Sequence, residues 1–121
     1  NGMHCFFLSC YKIIDIIHRE TAVSSDDGDI VYTLIISYFK KKCIVVLDFS
    51  GITILTTAFL NSAIGQLYNT YSSGQLNTRL RLKNVANEDK ILFKKVIERA
   101  KEYFANKKGF EDSANKAIYG S

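Results

Sequence analysis

The chain is poor in the residue types from which most enzyme sites are built. It has two histidines, His4 and His18, and three cysteines, Cys5, Cys10 and Cys43; it has no proline and no tryptophan. Without proline, no proline-rich linker divides it. The cysteine count is odd and the spacing forms no disulfide framework. Cys43 lies in an apolar run and reads as a small buried hydrophobe. This usage fits a reducing, cytoplasmic setting. His4, Cys5, Cys10 and His18 match no zinc-ligand spacing, so no metal site is expected. The seven glycines are scattered, which excludes a phosphate-binding loop or dinucleotide fingerprint. No Ser or Cys stands in a nucleophile-elbow pattern. No catalytic residue and no cofactor is therefore expected. No apolar run approaches the roughly 20 residues of a membrane-spanning helix.

What the chain does have is an ordinary globular composition: 121 residues, 47% hydrophobic and 23% charged, with net charge +4. That length suits one domain with a buried core. The mild positive charge permits an acidic or nucleic-acid partner without demanding one. The start, Met3-His4-Cys5-Phe6-Phe7-Leu8-Ser9-Cys10, lacks the basic region and apolar length of a signal peptide. Residues 1–10 are expected to be a leader or an added segment, 11–105 the domain and 106–121 a polar C-terminal tail.

Residues 11–17, Tyr-Lys-Ile-Ile-Asp-Ile-Ile, read as a first strand, and 20–24 as a short second one. A first helix is expected over 29–41, after the turn Ser24-Ser25-Asp26-Asp27-Gly28. Ile30, Val31, Leu34, Ile35 and Tyr38 fall on one face. Asp26, Asp27 and Asp29 at its start suit the helix dipole, as do Lys40, Lys41 and Lys42 at its end. The run 43–49 reads as a strand covered on both faces. A second helix is expected over 57–72, ended by Ser72-Ser73-Gly74, then a strand over 78–82 with one wet face, then a third helix from Asn87 to about Phe104. Strands and helices alternate, which predicts an α/β fold: a mixed sheet of about four to five strands with about three main helices packed on it.

The segment 48–61 is the candidate working end. Ligands and partners bind at the carboxyl ends of strands in open α/β sheets, where helices begin. Asp48, Ser50, Thr56, Thr57 and Asn61 are the candidate partner-binding residues. Each also has a structural use: Asp48 and Ser50 in bonding the turn backbone, Thr56 or Thr57 in capping the following helix. Arg79, Arg81 and Lys83, expected on the wet face of one strand, form a basic patch. They support an alternative reading, a small nucleic-acid-binding or acidic-partner-binding domain, although no aromatic–basic interleaving suggests a base-stacking platform.

Several stretches taken together resemble the STAS-like domain family of unknown function, a relative of the anti-sigma-factor antagonists. They are Ala22-Val23-Ser24-Ser25-Asp26-Asp27-Gly28, Val45-Val46-Leu47-Asp48-Phe49-Ser50-Gly51-Ile52, Phe59-Leu60-Asn61 with Ile64-Gly65-Gln66-Leu67, Leu82-Lys83-Asn84, and Val96-Ile97-Glu98-Arg99-Ala100. The resemblance implies a STAS-type fold and a non-catalytic, regulatory role. It also implies a protein partner of the histidine-kinase-like ATPase class, docked on the 48–61 strand–turn–helix. In the antagonists that partner phosphorylates a Ser within Asp-Ser-Ser-Gly. Here the motif falls on Thr56-Thr57-Ala58-Phe59, so the acceptor position is Ala58, which has no hydroxyl. Thr57 is the neighbouring candidate phosphoacceptor.

Overall fold

The computed structural model describes residues 8–118, with side chains described for 8–105. His4, Cys5 and most of the expected leader lie outside the described residues.

Strand β1 is Leu8–Lys12, β3 is Ile44–Asp48 and β5 is Leu80–Lys83; they form one sheet in the order β1-β3-β5. Strands β2 (Thr21–Ala22) and β4 (Ile54–Leu55) form a second, two-stranded sheet. The fold is α/β, but every strand pair is parallel, so there are two small parallel sheets rather than one mixed sheet. Parallel neighbours need helical crossovers. Helix α2 (Ser25–Lys40) lies between β1 and β3; α3 (Thr57–Ala63) and α4 (Ser73–Arg79) lie between β3 and β5.

The central strand β3 shows the logic of the core. Cys43, Val45, Leu47 and Phe49 are buried, whereas Ile44 and Val46 are only half-buried. Successive side chains point to opposite faces, so helices cover one face of the sheet far more fully than the other. Both-face cover, expected from the all-apolar run, is not what this strand has. Ile35, Phe39, Phe59, Leu60 and Leu67 fill the covered side together with Val45 and Leu47.

Local structure departs from the sequence reading in several places. Residues 13–17 are helix α1 (Ile13–Ile17), not strand, and β1 begins at Leu8, inside the segment expected to be a leader. Ile13 and Ile17 are the buried pair; they are spaced i, i+4, one face of a helix turn. Helix α2 starts at Ser25 rather than Asp29, because Ser24 is its cap, its Oγ accepting from Asp27 N–H at 3.1 Å. The expected helix over 57–72 breaks after Ala63 into a 3-10 segment, Gly65–Asn69. Ser72-Ser73-Gly74 then opens α4 instead of ending a helix. Ser72 and Gln75 form a reciprocal capping box, with Gln75 N–H donating to Ser72 Oγ at 3.2 Å and Ser72 N–H to Gln75 Oε1 at 2.9 Å, which satisfies two donors at once. Finally, α5 runs Asn87–Ile118, through most of the expected tail. Polar composition does not stop a helix without proline, and a single Gly109 costs only about 1 kcal/mol.

Helix α2 meets α3 at Gly28. A Cβ there would stand 2.5 Å from Phe59 O and 2.6 Å from Ser62 Cβ. The missing side chain is what allows the two helices to approach, and this contact sets where α3 lies.

Candidate docking surface

Segment 48–61 leaves the sheet at the carboxyl end of β3 and returns through β4 into α3. Asp48 anchors its start. Its Oδ1 accepts from Ser50 N–H at 2.9 Å and from Asn84 Nδ2 at 2.9 Å. The Asn84 amide and the Ser50 N–H hold the carboxyl down at about 2, against an ordinary 3.8, with the Lys83 charge helping and burial opposing. Asp48 is only 6% exposed, so its charge serves the turn rather than the surface. Asn84 reaches it from a left-handed backbone conformation, φ 58°. The turn passes through Gly51 at φ +83°, a conformation that favours glycine.

Thr56 anchors the other end. It caps α3, its Oγ1 accepting from Phe59 N–H at 3.3 Å and donating to Val23 O at 2.6 Å. The backbone follows the same path, with Thr56 N–H donating to Ala22 O and Thr53 N–H to Glu20 O. The end of β2 and the start of α3 are thereby tied together. Asp27, inside α2, is paired with Arg19 at 3.2 Å. Asp29 accepts from Gln66 Nε2 at 2.9 Å. These aspartates are engaged structurally, and among the described residues no group of three or more His, Cys, Asp or Glu could hold a metal ion.

The five candidate residues therefore divide. Asp48 and Thr56 are internal anchors. Thr57, half-buried, begins α3, and its hydroxyl bonds to no other described residue; Ala58 beside it is exposed. Ser50 lines a crevice of about 320 Å³ with Asn84 and Asp89. Asn61, exposed, lines another of about 260 Å³ with Arg99 and Tyr103 of α5. No hydrogen bond among the described residues joins the Asp48–Ser50 end to Thr56, Thr57 or Asn61. They lie along one chain segment, not around one centre.

Sequence reasoning missed the apolar part of this surface. Ile54 is 52% exposed, and Val23, which follows β2 and accepts from Thr56 Oγ1, is 41% exposed. The available signal was charge. Residues 43–78 contain a single ionisable acid or base of the Asp, Glu, Lys, Arg or His type, Asp48, and the structure buries it. The exposed part of 48–61 (Gly51, Thr53, Ile54, Ala58 and Asn61) is consequently uncharged.

The basic patch does not survive as drawn. Arg79 ends α4 instead of standing on a strand. Its Nη2 donates to Phe39 O at 2.9 Å and its guanidinium lies 5.1 Å from the centre of the Phe39 ring. Arg81 and Lys83 remain exposed on β5.

No helix among the described residues is long and apolar enough to cross a membrane. A family profile described as STAS-like domain of unknown function (DUF4325) matches residues 27–90, just over half of the chain. The chain belongs to that family. No curated protein matches it, and no solved structure matches it.

Proposed function

We propose that this STAS-like domain is a non-catalytic regulatory module of the cytoplasm that docks a signalling protein through segment 48–61. One observation carries the reading: a segment whose exposed residues are uncharged and include Ile54, with exposed Val23 beside Thr56, on a chain that is 23% charged as a whole. Cores of protein–protein interfaces are depleted in charge in the same way. The two ends of the segment are fixed by Asp48 and Thr56, so little conformational entropy is lost when a partner binds.

The partner we propose is a histidine-kinase-like ATPase, the class implied by the resemblance to anti-sigma-factor antagonists. Thr57 is the proposed phosphoacceptor. A phosphate there would add about −1.5 to −2 charges to a segment whose exposed residues carry none and would release an apolar partner.

Calorimetric titration against such an ATPase from the same genome tests the docking. Ile54→Asp and Asn61→Arg should each weaken binding at least about tenfold, roughly 1.4 kcal/mol, with the circular dichroism spectrum unchanged. Undiminished binding by both variants would remove the surface from consideration. Incubation with the ATPase and ATP, followed by mass spectrometry, should place phosphate on Thr57; phosphate on another residue would end that part of the proposal.

A further inference from the structure

The two edges of the three-stranded sheet are built differently. Strand β5 has Arg81 and Lys83 among its four residues, the kind of charged edge that resists pairing with another chain. Strand β1, Leu-Ser-Cys-Tyr-Lys, has no charge before Lys12. Among the described residues no strand pairs with its outer side. It therefore offers a row of backbone donors and acceptors without the usual protection.

Apolar side chains flank that row. Leu8 on β1 is 55% exposed and Ile30 on α2 is 50% exposed. An open groove of about 600 Å³ runs along the edge, lined by Tyr11, Lys12, Asp15, Ile16, Ile30 and Leu34 together with Cys10 and Asp48. Ile30 and Leu34 are spaced i, i+4 and so form one stripe of α2.

We propose that this edge is the interface of a symmetric homodimer, in which β1 pairs antiparallel with β1 of a second copy and joins two three-stranded sheets into one of six strands. A twofold contact must be self-complementary, and β1 is. Pairing all five residues sets Leu8 opposite Lys12, Ser9 opposite Tyr11 and Cys10 opposite itself. The two Lys12 then lie four residues apart along the ladder, about 13 Å, beyond the Debye length of about 8 Å at physiological salt. The Lys12 stem covers Leu8 of the second copy while its ammonium stays in water. The groove holds one cation, Lys12, and two carboxylates, Asp15 and the buried Asp48, so each copy brings both signs. Stable interfaces bury more than about 1,000 Å² in total. A five-residue strand alone falls short of this, so the interface must also take in Ile16 of α1 and the Ile30–Leu34 stripe of α2 from each copy. A foreign strand could satisfy the backbone; a second copy also brings a Lys12 stem for each Leu8 and both signs of charge to each groove.

Sedimentation equilibrium from about 1 to about 200 μM, a range that resolves micromolar dissociation constants, tests the proposal on the full chain. The apparent mass should rise to twice the 13.7 kDa of one chain. Cys10→Lys sets two cations directly opposite each other and should raise the dissociation constant at least about tenfold; Cys10 is exposed, so the fold should hold. Cys10→Ser should stay dimeric. In a Cys5→Ser background, diamide should link the chains through Cys10, because opposed residues of an antiparallel pair are about 4.5–5.5 Å apart at Cα, within disulfide reach. A chain monomeric throughout the range would overturn the dimer, even if another protein were then found to bind the same edge. So would a dimer indifferent to Cys10→Lys. If Ile54→Asp dissolves the dimer and Cys10→Lys does not, self-association uses the docking surface instead and this interface is wrong.

Discussion

Gly28→Ala separates two physical effects that point in opposite directions. Glycine inside a helix is unfavourable relative to alanine by up to about 1 kcal/mol, and Gly28 lies inside α2. Propensity alone therefore expects the variant to be more stable. Packing expects the reverse. The added methyl would stand 2.5 Å from Phe59 O and 2.6 Å from Ser62 Cβ. Ordinary contact begins near 3.4 Å, so α3 must retreat by close to 1 Å. The nearest obstacle is a backbone carbonyl, which cannot rotate away as a side-chain end can. Phe59 and Leu60 are fully buried, so moving α3 disturbs the core as well. Overpacking of this kind costs about 1–3 kcal/mol. With the helix gain subtracted from the upper end, the net loss is about 2 kcal/mol, a sizeable part of the 5–15 kcal/mol typical of a domain.

Urea unfolding read by circular dichroism measures this directly, with Gly74→Ala as the internal control. Gly74 also lies in a helix, α4, but a Cβ there would meet only Ser72 Oγ, at 3.9 Å. That variant should gain up to about 1 kcal/mol, while Gly28→Ala should lose about 2 kcal/mol and melt roughly 6–12 °C lower. The reasoning fails if Gly28→Ala is as stable as the parent, or if both variants shift in the same direction. Because the retreat of α3 carries Thr57, Ala58 and Asn61 with it, Gly28→Ala should also weaken docking although Gly28 is itself buried.

Acid should loosen the turn at a defined place. The Asp48 carboxyl is held at about 2 in the fold against an ordinary 3.8, so its contribution is full above about pH 4 and is lost as the pH falls towards about 2. The shift corresponds to up to about 2 kcal/mol, reduced to about 1 kcal/mol by nearby solvent; the stability gap between the parent and Asp48→Ala, from urea midpoints, should narrow by that amount over that interval, and an unchanged gap would show that the carboxylate charge is not what the turn uses. Thr56→Ala removes both the cap and the bond to Val23 O and should cost about 1–2 kcal/mol, whereas Thr56→Ser should recover most of it; equal losses for the two in thermal melts would transfer the effect from the hydroxyl to the methyl group.

Much of the fold was legible where local chemistry and tertiary packing agree. The run Ile44–Asp48 is a strand, Thr56 does cap a helix, and Asn87 opens another. The misreadings have particular causes. Ile13-Ile14-Asp15-Ile16-Ile17 has the β-branched composition of a strand, yet the burial of Ile13 and Ile17 together imposes a helix turn. Ser72-Ser73-Gly74 looked like a helix end by composition, but Gln75 completes a capping box and turns it into a beginning. Arg79 alternated with apolar residues as if on a wet strand. Its pairing with the Phe39 carbonyl, forty positions away, has no local signature.

The candidate surface was legible in place and not in character. Hydroxyls and an aspartate drew attention to 48–61, and two of them, Asp48 and Thr56, are consumed in holding the segment still. Long-range partners decide this: Asn84 for the first and Val23 for the second, neither of which is near in sequence. What the surface offers is therefore its lack of charge and its exposed Ile54 and Val23. That inverts the weight of the polar residues. Replacing Thr56 should harm docking only through the position of α3, and Thr56→Ser should restore it. Replacing Ile54 by Asp should harm docking with stability intact, since Ile54 is more than half exposed. Affinity that follows stability across the whole set of variants, with Ile54→Asp as inert as an ordinary surface change, would mean that no partner touches this face.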